Sequence, residues 1–190
     1  MKWRHGKKVI LLNKLGYSVN DMNINIVNWT ERVKKQYQPN TGRVLDIGSL
    51  NVNGSTKHLF MDATEYTGID FRDGKDVDMV MNAHNTLQYF GRDAFDTIIC
   101  MDMLEHDDAF WVTLDNIRAM LKQGGYLWVI MPTLNFPIHN HPGDYWRATE
   151  QAFRDVIFNG YKLLNMEKIY TKELNNKPIN PVLCALGQKY

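Results

Sequence analysis

Two short apolar runs, each closing on a carboxylate, carry the residues in this chain best placed to do chemistry. The first lies in Arg43–Ser55, RVLDIGSLNVNGS, where Val44, Leu45 and Ile47 surround Asp46. The second is Tyr66–Asp70, YTGID. Short runs rich in branched residues and bounded by glycine predict buried strands rather than helices. An acid at a strand's carboxyl end, about twenty residues after a glycine-bearing turn, can accept hydrogen bonds from both hydroxyls of a ribose. Asp70 fits that role. Between the runs, Gly48 and Gly54 bracket a polar loop holding Ser49, Asn51, Asn53 and Ser55. Glycine there permits positive φ and a close backbone approach to a ligand. The loop does not read GxGxxG, so it lacks the spacing that sets a pyrophosphate against a helix N-terminus. The pattern points to a nucleoside ligand without phosphates and away from a dinucleotide. An ordinary strand-to-helix loop would explain the same residues equally well.

A second group of reactive side chains comes later. Glu105 and His106 end the stretch MDMLEH, and a histidine there can act as a general base because its pKa lies near neutrality. The plainer reading is that the pair orients its loop or caps the next helix. The segment PIHNHPGDYWR gathers His139, His141, Asp144, Tyr145 and Arg147. Histidines at i and i+2 beside an acid could bind a metal, but spacing supplies no third ligand, so no metal is assigned. These side chains suit a substrate pocket or a hydrogen-bonded loop, and Asp144 could simply pair with Arg147.

Holding such groups at one edge requires alternating strands and helices. Met22, Ile26, Trp29, Val33 and Tyr37 recur at three- and four-residue steps and predict an amphipathic helix. Asn20 or Asp21 would cap it, and Pro39-Asn40-Thr41-Gly42 would stop it. Ser55–Phe60 reads as a short helix capped by Ser55. Asp76–Met81, Phe95–Met101 and Tyr126–Met131 read as strands three to five. A helical stripe of Phe110, Leu114, Ile117 and Leu121 precedes the fifth and ends at Gly124-Gly125. Thr149 caps a helix that buries Phe153, Val156 and Ile157. Tyr161–Ile169 and Val182–Gln188 complete the set. The alternation argues for a parallel sheet covered on both faces. Pro132–Tyr145, with three prolines, is long enough for a lid or substrate segment.

The motifs VLDIGSLNVNGS, YTGIDFRDGKDVDMVMNAHN, FDTIICMDMLEH and LKQGGYLWVIMP follow one another in that order. On them, residues 43–150 resemble a class I S-adenosylmethionine (SAM)-dependent methyltransferase of the methyltransferase type 11 kind. The resemblance implies an α/β fold: a Rossmann-like three-layer sandwich, with a mostly parallel seven-stranded sheet and helices on both faces. It implies SAM as cofactor. Asp46, Gly48, Ser49, Asn53 and Gly54 would lie under the methionine part, and Asp70 would hold the ribose with Phe71 beside the adenine. Ala83 and His84 would meet the adenine edge, and Met101 and Asp102 would border the methionine amino group. His106, Glu105, His141 and Tyr145 are the catalytic candidates, with 132–147 as the acceptor-side loop. The family's first loop runs acidic-x-GxGxG; here Asp46-Ile47-Gly48-Ser49-Leu50-Asn51 displaces the later glycines.

The acceptor is narrowed by what the strand-four region lacks. It carries neither the NPP-aromatic motif of amino-methylating enzymes acting on adenine or glutamine nor the Pro-Cys of cytosine-C5 enzymes. An oxygen or nitrogen on a small or sugar-like molecule is the leading expectation. A non-catalytic SAM-fold binding module and a NAD-type oxidoreductase are the rivals, the latter expected to carry the GxGxxG loop.

With 190 residues, 44% hydrophobic and 23% charged, the chain fits a single domain, 1–190, with residues 1–20 as an extension. A formal net charge of +1 gives no overall field for nucleic acid. Cys100 and Cys184 lie in apolar stretches and read as buried thiols in a reducing compartment. Lys7–Leu12 is too short an apolar run to cross a bilayer, so no membrane partner and a cytoplasmic location are expected. The sequence leaves the oligomeric state open.

Overall fold

The computed structural model describes residues 23–52, 54–139, 143–174 and 177–190. Asn23 accepts a hydrogen bond from the Asn25 amide at 3.0 Å and so caps helix α1, Ile24–Tyr37. Gln38, at φ 46°, closes that helix, with Lys34 and Lys35 in its last turn, where the dipole favours cations. The chain continues through β1 (Arg43–Ile47), β2 (Glu65–Asp70), β3 (Met79–Val80), α2 (Thr86–Phe90), β4 (Phe95–Met101), α3 (Phe110–Met120) and β5 (Leu121–Pro132). Helix α4 (Glu150–Ala152) runs into a π turn at Phe153–Ile157, and the long strands β6 (Tyr161–Leu174) and β7 (Lys177–Lys189) follow. Helix α4 is capped by Thr149, whose hydroxyl accepts from the Ala152 amide at 3.1 Å.

These strands form one seven-stranded sheet in the order β3-β2-β1-β4-β5-β7-β6. The first five are parallel, and β7 runs antiparallel to both β5 and β6. Strand side chains alternate between two faces, and each face is covered. On one, Leu45, Ile47, Ile98, Cys100, Leu127 and Val129 pack with Leu114 and Ile117 of α3 and with Phe153. On the other, Val44, Ile99, Trp128 and Ile130 pack with Trp29 and Val33 of α1 and with Phe60. Trp29 meets Trp128 edge-on at 5.6 Å. The fold expected from the sequence is the fold observed.

Register decides where the site lies. Ile47 is opposite Ile69 on one side and Cys100 on the other, so Gly48, Asp70 and Met101 leave the sheet at one level. Between β1 and β4 the strand order reverses, and in open α/β sheets ligands bind in the crevice at that point.

Several boundaries differ from the sequence expectation. The third strand shrinks from Asp76–Met81 to Met79–Val80, because Asp76 takes φ 67° and Asp78 turns its carboxylate to the Gly68 amide at 2.8 Å. Helix α3 stops at Met120, since Leu121 is already extended and pairs with Phe95; Gly124-Gly125 lies inside β5, at a register irregularity. Val156 is 46% exposed rather than buried, because the π turn, closed by the Phe158 amide on the Phe153 carbonyl, swings Phe158 inward instead. Lys57–Phe60 is a 3-10 turn; the Ser55 hydroxyl accepts from the Lys57 amide at 3.0 Å but caps no α-helix. Strands β5, β6 and β7 are each longer than their apolar runs suggested. Helix α1 is capped by Asn23, while Asn20 and Asp21 lie outside the described residues, as does the 1–20 extension. Cys100 and Cys184 are free, buried thiols on opposite faces. Among the described residues, no helix is long and apolar enough to cross a membrane.

Candidate functional site

The loop after β1 is shaped by glycine in a way the sequence only half predicts. Gly48 adopts φ 84°, and a Cβ there would stand 2.7 Å from the Met103 side chain. The close approach at Gly48 is therefore to the chain's own β4 loop. The amides of Gly48 and Ser49 both donate to the Ile69 carbonyl, at 2.8 and 2.9 Å, folding the loop across the end of β2. Asn51 organises the rest: its Oδ1 accepts from the Gly54 amide at 2.9 Å and its Nδ2 donates to Asp76 Oδ2 at 2.6 Å. Gly54 follows at φ 95°. Asn53 lies outside the described residues.

A cavity of about 870 Å³ opens above these strand ends, within the range that small-ligand sites occupy. Asp46, Gly48, Ser49 and Gly54 border it from β1 and its loop, and Asp70 and Phe71 border it from β2. Ala83 and His84 line another wall, and Met101, Asp102, His106 and Tyr145 line the side of β4 and the later loop. Every described cofactor candidate named from the sequence thus faces one space. Glu105 does not line it; its side chain is fully buried behind His106.

Electrostatics single out the acids. Asp46 is buried, and desolvation pushes its carboxyl up to about 6 even though the Tyr66 hydroxyl donates to it at 2.6 Å. Asp102 sits at φ 51° and is open to the cavity. The surrounding chain nonetheless desolvates its carboxyl and drives its pKa upward. Asp70 is nine-tenths buried and accepts from the Arg72 amide at 2.9 Å.

His84 is held by a network the sequence did not reveal. Its Nε2 lies 2.9 Å from Asp107 Oδ1, and Asn116 Nδ2 donates to the carbonyls of Ala83 and His84 at 3.1 and 2.9 Å. Asp107 also accepts from the Ala109 amide at 3.0 Å and from the Thr113 hydroxyl at 2.6 Å. An aspartate just ahead of a helical stripe is the signal that could have found it.

Pro132–Arg147 folds down onto the turn Leu104–His106. The Tyr145 amide donates to the Glu105 carbonyl at 2.8 Å, and His106 Nδ1 pairs with the Gly143 carbonyl. Arg147 grips Asp144 with both terminal guanidinium nitrogens, at 2.5 and 2.6 Å, and donates to the carbonyls of Phe136 and Pro137. That fork holds the Asp144 carboxyl below the usual carboxylate range. The pairing of Asp144 with Arg147 is thus realised, and it clamps the loop. His139 projects toward Glu105, with Nε2 at 3.8 Å from Oε1, and His106 Nε2 stands 3.7 Å from the same oxygen. Burial pushes the Glu105 carboxyl well up, helped by Asp102 and Asp144 nearby. His141 lies outside the described residues. Sequence spacing offered only two histidines and a nearby acid; the fold supplies Glu105 as their neighbour.

Residues 16–161 match the family model described as a methyltransferase domain, and the chain belongs to that family. With its sheet order and strand-end cavity, it is a class I SAM-dependent methyltransferase. No curated protein is significantly similar to it in sequence. Among solved structures, it is similar to the 1,6-didemethyltoxoflavin-N1-methyltransferase of Burkholderia thailandensis, crystallised with 1,6-didemethyltoxoflavin and S-adenosylhomocysteine. That likeness has 14% identity and a TM-score of 0.67, and covers 100% of this chain and 91% of that one. The N-methyltransferase NodS of Bradyrhizobium japonicum, in complex with S-adenosylhomocysteine, gives 14% identity and a TM-score of 0.65, covering 90% of each chain. A SAM-dependent methyltransferase from Archaeoglobus fulgidus gives 14% and 0.62, over 86% of this chain and 94% of that one.

Proposed function

We propose that the cavity takes SAM along its β1–β2 side and a small polar acceptor along its loop side, with methyl transfer to an oxygen or nitrogen of that acceptor. The convergence of Asp46, Asp70 and Asp102 on one space from the ends of three parallel strands carries this reading. The residues fit the cofactor in charge and in shape. SAM brings a sulfonium and an ammonium; Asp46 is an acid in which burial disfavours the charge until a cation is near, and Asp102 is an acid open to the same cavity. Asp70 would take the ribose hydroxyls, with Phe71 and the Ala83–His84 turn at the adenine. Met101 and Asp102 would border the methionine amino group, above the Gly48–Gly54 loop. When bound, SAM supplies a methyl group on a positively charged sulfur.

The chain's own contribution is alignment and exclusion of water. The loop 132–147, clamped by Arg147, would cover the acceptor, and Tyr145, which is 56% exposed at its edge, would meet it. His106 faces the cavity from beneath the same loop. The neighbours that methylate small molecules, among them the toxoflavin-type N-methyltransferase, support an acceptor of modest size.

Calorimetry with SAM, S-adenosylhomocysteine and NADH tests the reading directly. Ligand that binds only the native state also raises the melting temperature by mass action. Saturable binding of the first two and none of NADH is expected. Selective binding of NADH, or of none of the three, would sink it.

A further inference from the structure

We propose that Glu105, His106 and His139 form a binding site for one zinc-class divalent cation. The inference concerns ion binding alone and stands apart from the methyl-transfer reading. It starts from Glu105, whose side chain is fully buried and whose two carboxylate oxygens find no hydrogen-bond partner on another described residue. A buried polar group left in that state is costly, and such a group calls for an ion or a proton to explain it. A proton would meet only part of the demand. The O–H of a neutral Glu105 would itself need an acceptor, and the ring nitrogens facing it stand at 3.7 and 3.8 Å, beyond hydrogen-bond reach.

Those nitrogens are the second, independent observation. The three donor groups lie within 4.8 Å of one another. Tetrahedral zinc ligands at ordinary bond lengths sit about 3.3 Å apart, so each Glu105–histidine separation would close by about half an ångström, and the two rings, within 4.8 Å of each other, by up to about 1.5 Å. Both rings are also oriented as metal-binding imidazoles are. His106 Nδ1 pairs with the Gly143 carbonyl, and its Nε2 is the nitrogen turned toward Glu105. His139 Nδ1 stands 3.3 Å from Asp144 Oδ2, and its Nε2 faces Glu105. The carbonyl behind His106 is the usual outer support of a ligating histidine, and Asp144 lies close behind His139 without a hydrogen bond to its Nδ1. Asp144 is fixed in turn by the Arg147 fork.

Two imidazoles and one carboxylate favour zinc and its neighbours over magnesium or calcium, which prefer all-oxygen sites. His106 and His139 line the cavity while Glu105 backs them, so a remaining coordination position opens to the cavity. A three-ligand site with an open position is the arrangement of catalytic rather than structural zinc.

The test uses the full chain without an affinity tag, stripped with chelator and titrated with Zn²⁺, Co²⁺ and Mg²⁺. One Zn²⁺ per chain by elemental analysis and calorimetry is expected, with visible Co²⁺ absorption at the same stoichiometry and no Mg²⁺ uptake. Glu105→Gln keeps the shape of a fully buried side chain and should leave the circular dichroism spectrum unchanged, yet weaken Zn²⁺ binding on the order of 100-fold. His139→Ala should do the same. Saturable uptake that either folded variant leaves unchanged, or no stoichiometric uptake by the parent, overturns the site. Should His139→Ala fail to fold, Glu105→Gln alone decides.

Discussion

The Tyr66 hydroxyl stands 2.6 Å from Asp46 Oδ2 and donates to it across the β1–β2 pair. The bond gives a buried carboxylate one partner, and Lys57, whose ammonium lies 4.9 Å from the centre of the Tyr66 ring, adds a distant positive charge. Neither cancels desolvation, so Asp46 keeps its proton up to about pH 6. The unliganded cavity is therefore built around an acid that the fold would rather hold neutral.

Asp46→Asn should stabilise the unliganded protein at pH 7.5. A folded pKa of about 6 against about 4 unfolded means that the group's contribution is intact below pH 4 and lost as pH rises through 6. Two units correspond to roughly 3 kcal/mol at most, and asparagine still accepts from Tyr66. Urea unfolding at pH 7.5 and pH 4 checks this: the variant's advantage should appear at the first and vanish at the second. The same substitution should weaken SAM. In the parent, SAM affinity should climb between pH 5 and pH 7.5, because the cation prefers the ionised acid.

Asp70→Ala should cost roughly 1.5–3 kcal/mol of SAM affinity, about a tenfold to hundredfold weakening, through lost charge-assisted hydrogen bonds to the ribose. The fold should persist, since the carboxylate's partners among the described residues are the amide and, at 4.0 Å, the guanidinium of Arg72, both in one turn. Unchanged affinity by calorimetry would move the ribose elsewhere.

The strand ends were legible because chemistry and burial coincide there. Asp46 and Asp70 interrupt apolar runs that have no other use for a charge, and parallel register brings both to the same edge of the sheet, Asp46 opposite Gly68 and Asp70 two residues further on. Elements fixed by tertiary contact were not legible. Helix α3 ends at Met120 because Leu121 finds a partner in Phe95, and no local signal announces that pairing. Gly48 looked like an opening for ligand, but the space above it is taken by Met103 from another strand's loop. The neighbours of Glu105 come from a loop more than thirty residues away, and only the folded chain shows that His139 reaches it.

Asp107→Ala should destabilise the fold by roughly 2–4 kcal/mol. One side chain serves three partners: the His84 ring, the Ala109 amide that opens α3, and the Thr113 hydroxyl. Each bond to a charged acceptor contributes about 1 kcal/mol or more. A denaturation midpoint that does not move would mean that the Asn116 bonds to Ala83 and His84 suffice to hold the turn.

Arg147 and Tyr145 should separate the loop's two roles. Arg147→Lys replaces a planar fork with a point charge and cannot reproduce the paired contacts to Asp144 together with those to the Phe136 and Pro137 carbonyls. It should lower the melting temperature and speed hydrogen exchange at the Tyr145 amide, which the loop now presses onto the Glu105 carbonyl. Tyr145→Phe removes a hydroxyl that is exposed at the cavity edge and anchors no described neighbour, so stability and SAM affinity should stay at the parent's values. Turnover should fall, read as S-adenosylhomocysteine formed with an acceptor that the parent methylates. Full turnover in Tyr145→Phe would make the loop a cover only, and would leave recognition of the acceptor to the wall formed by His106 and His139.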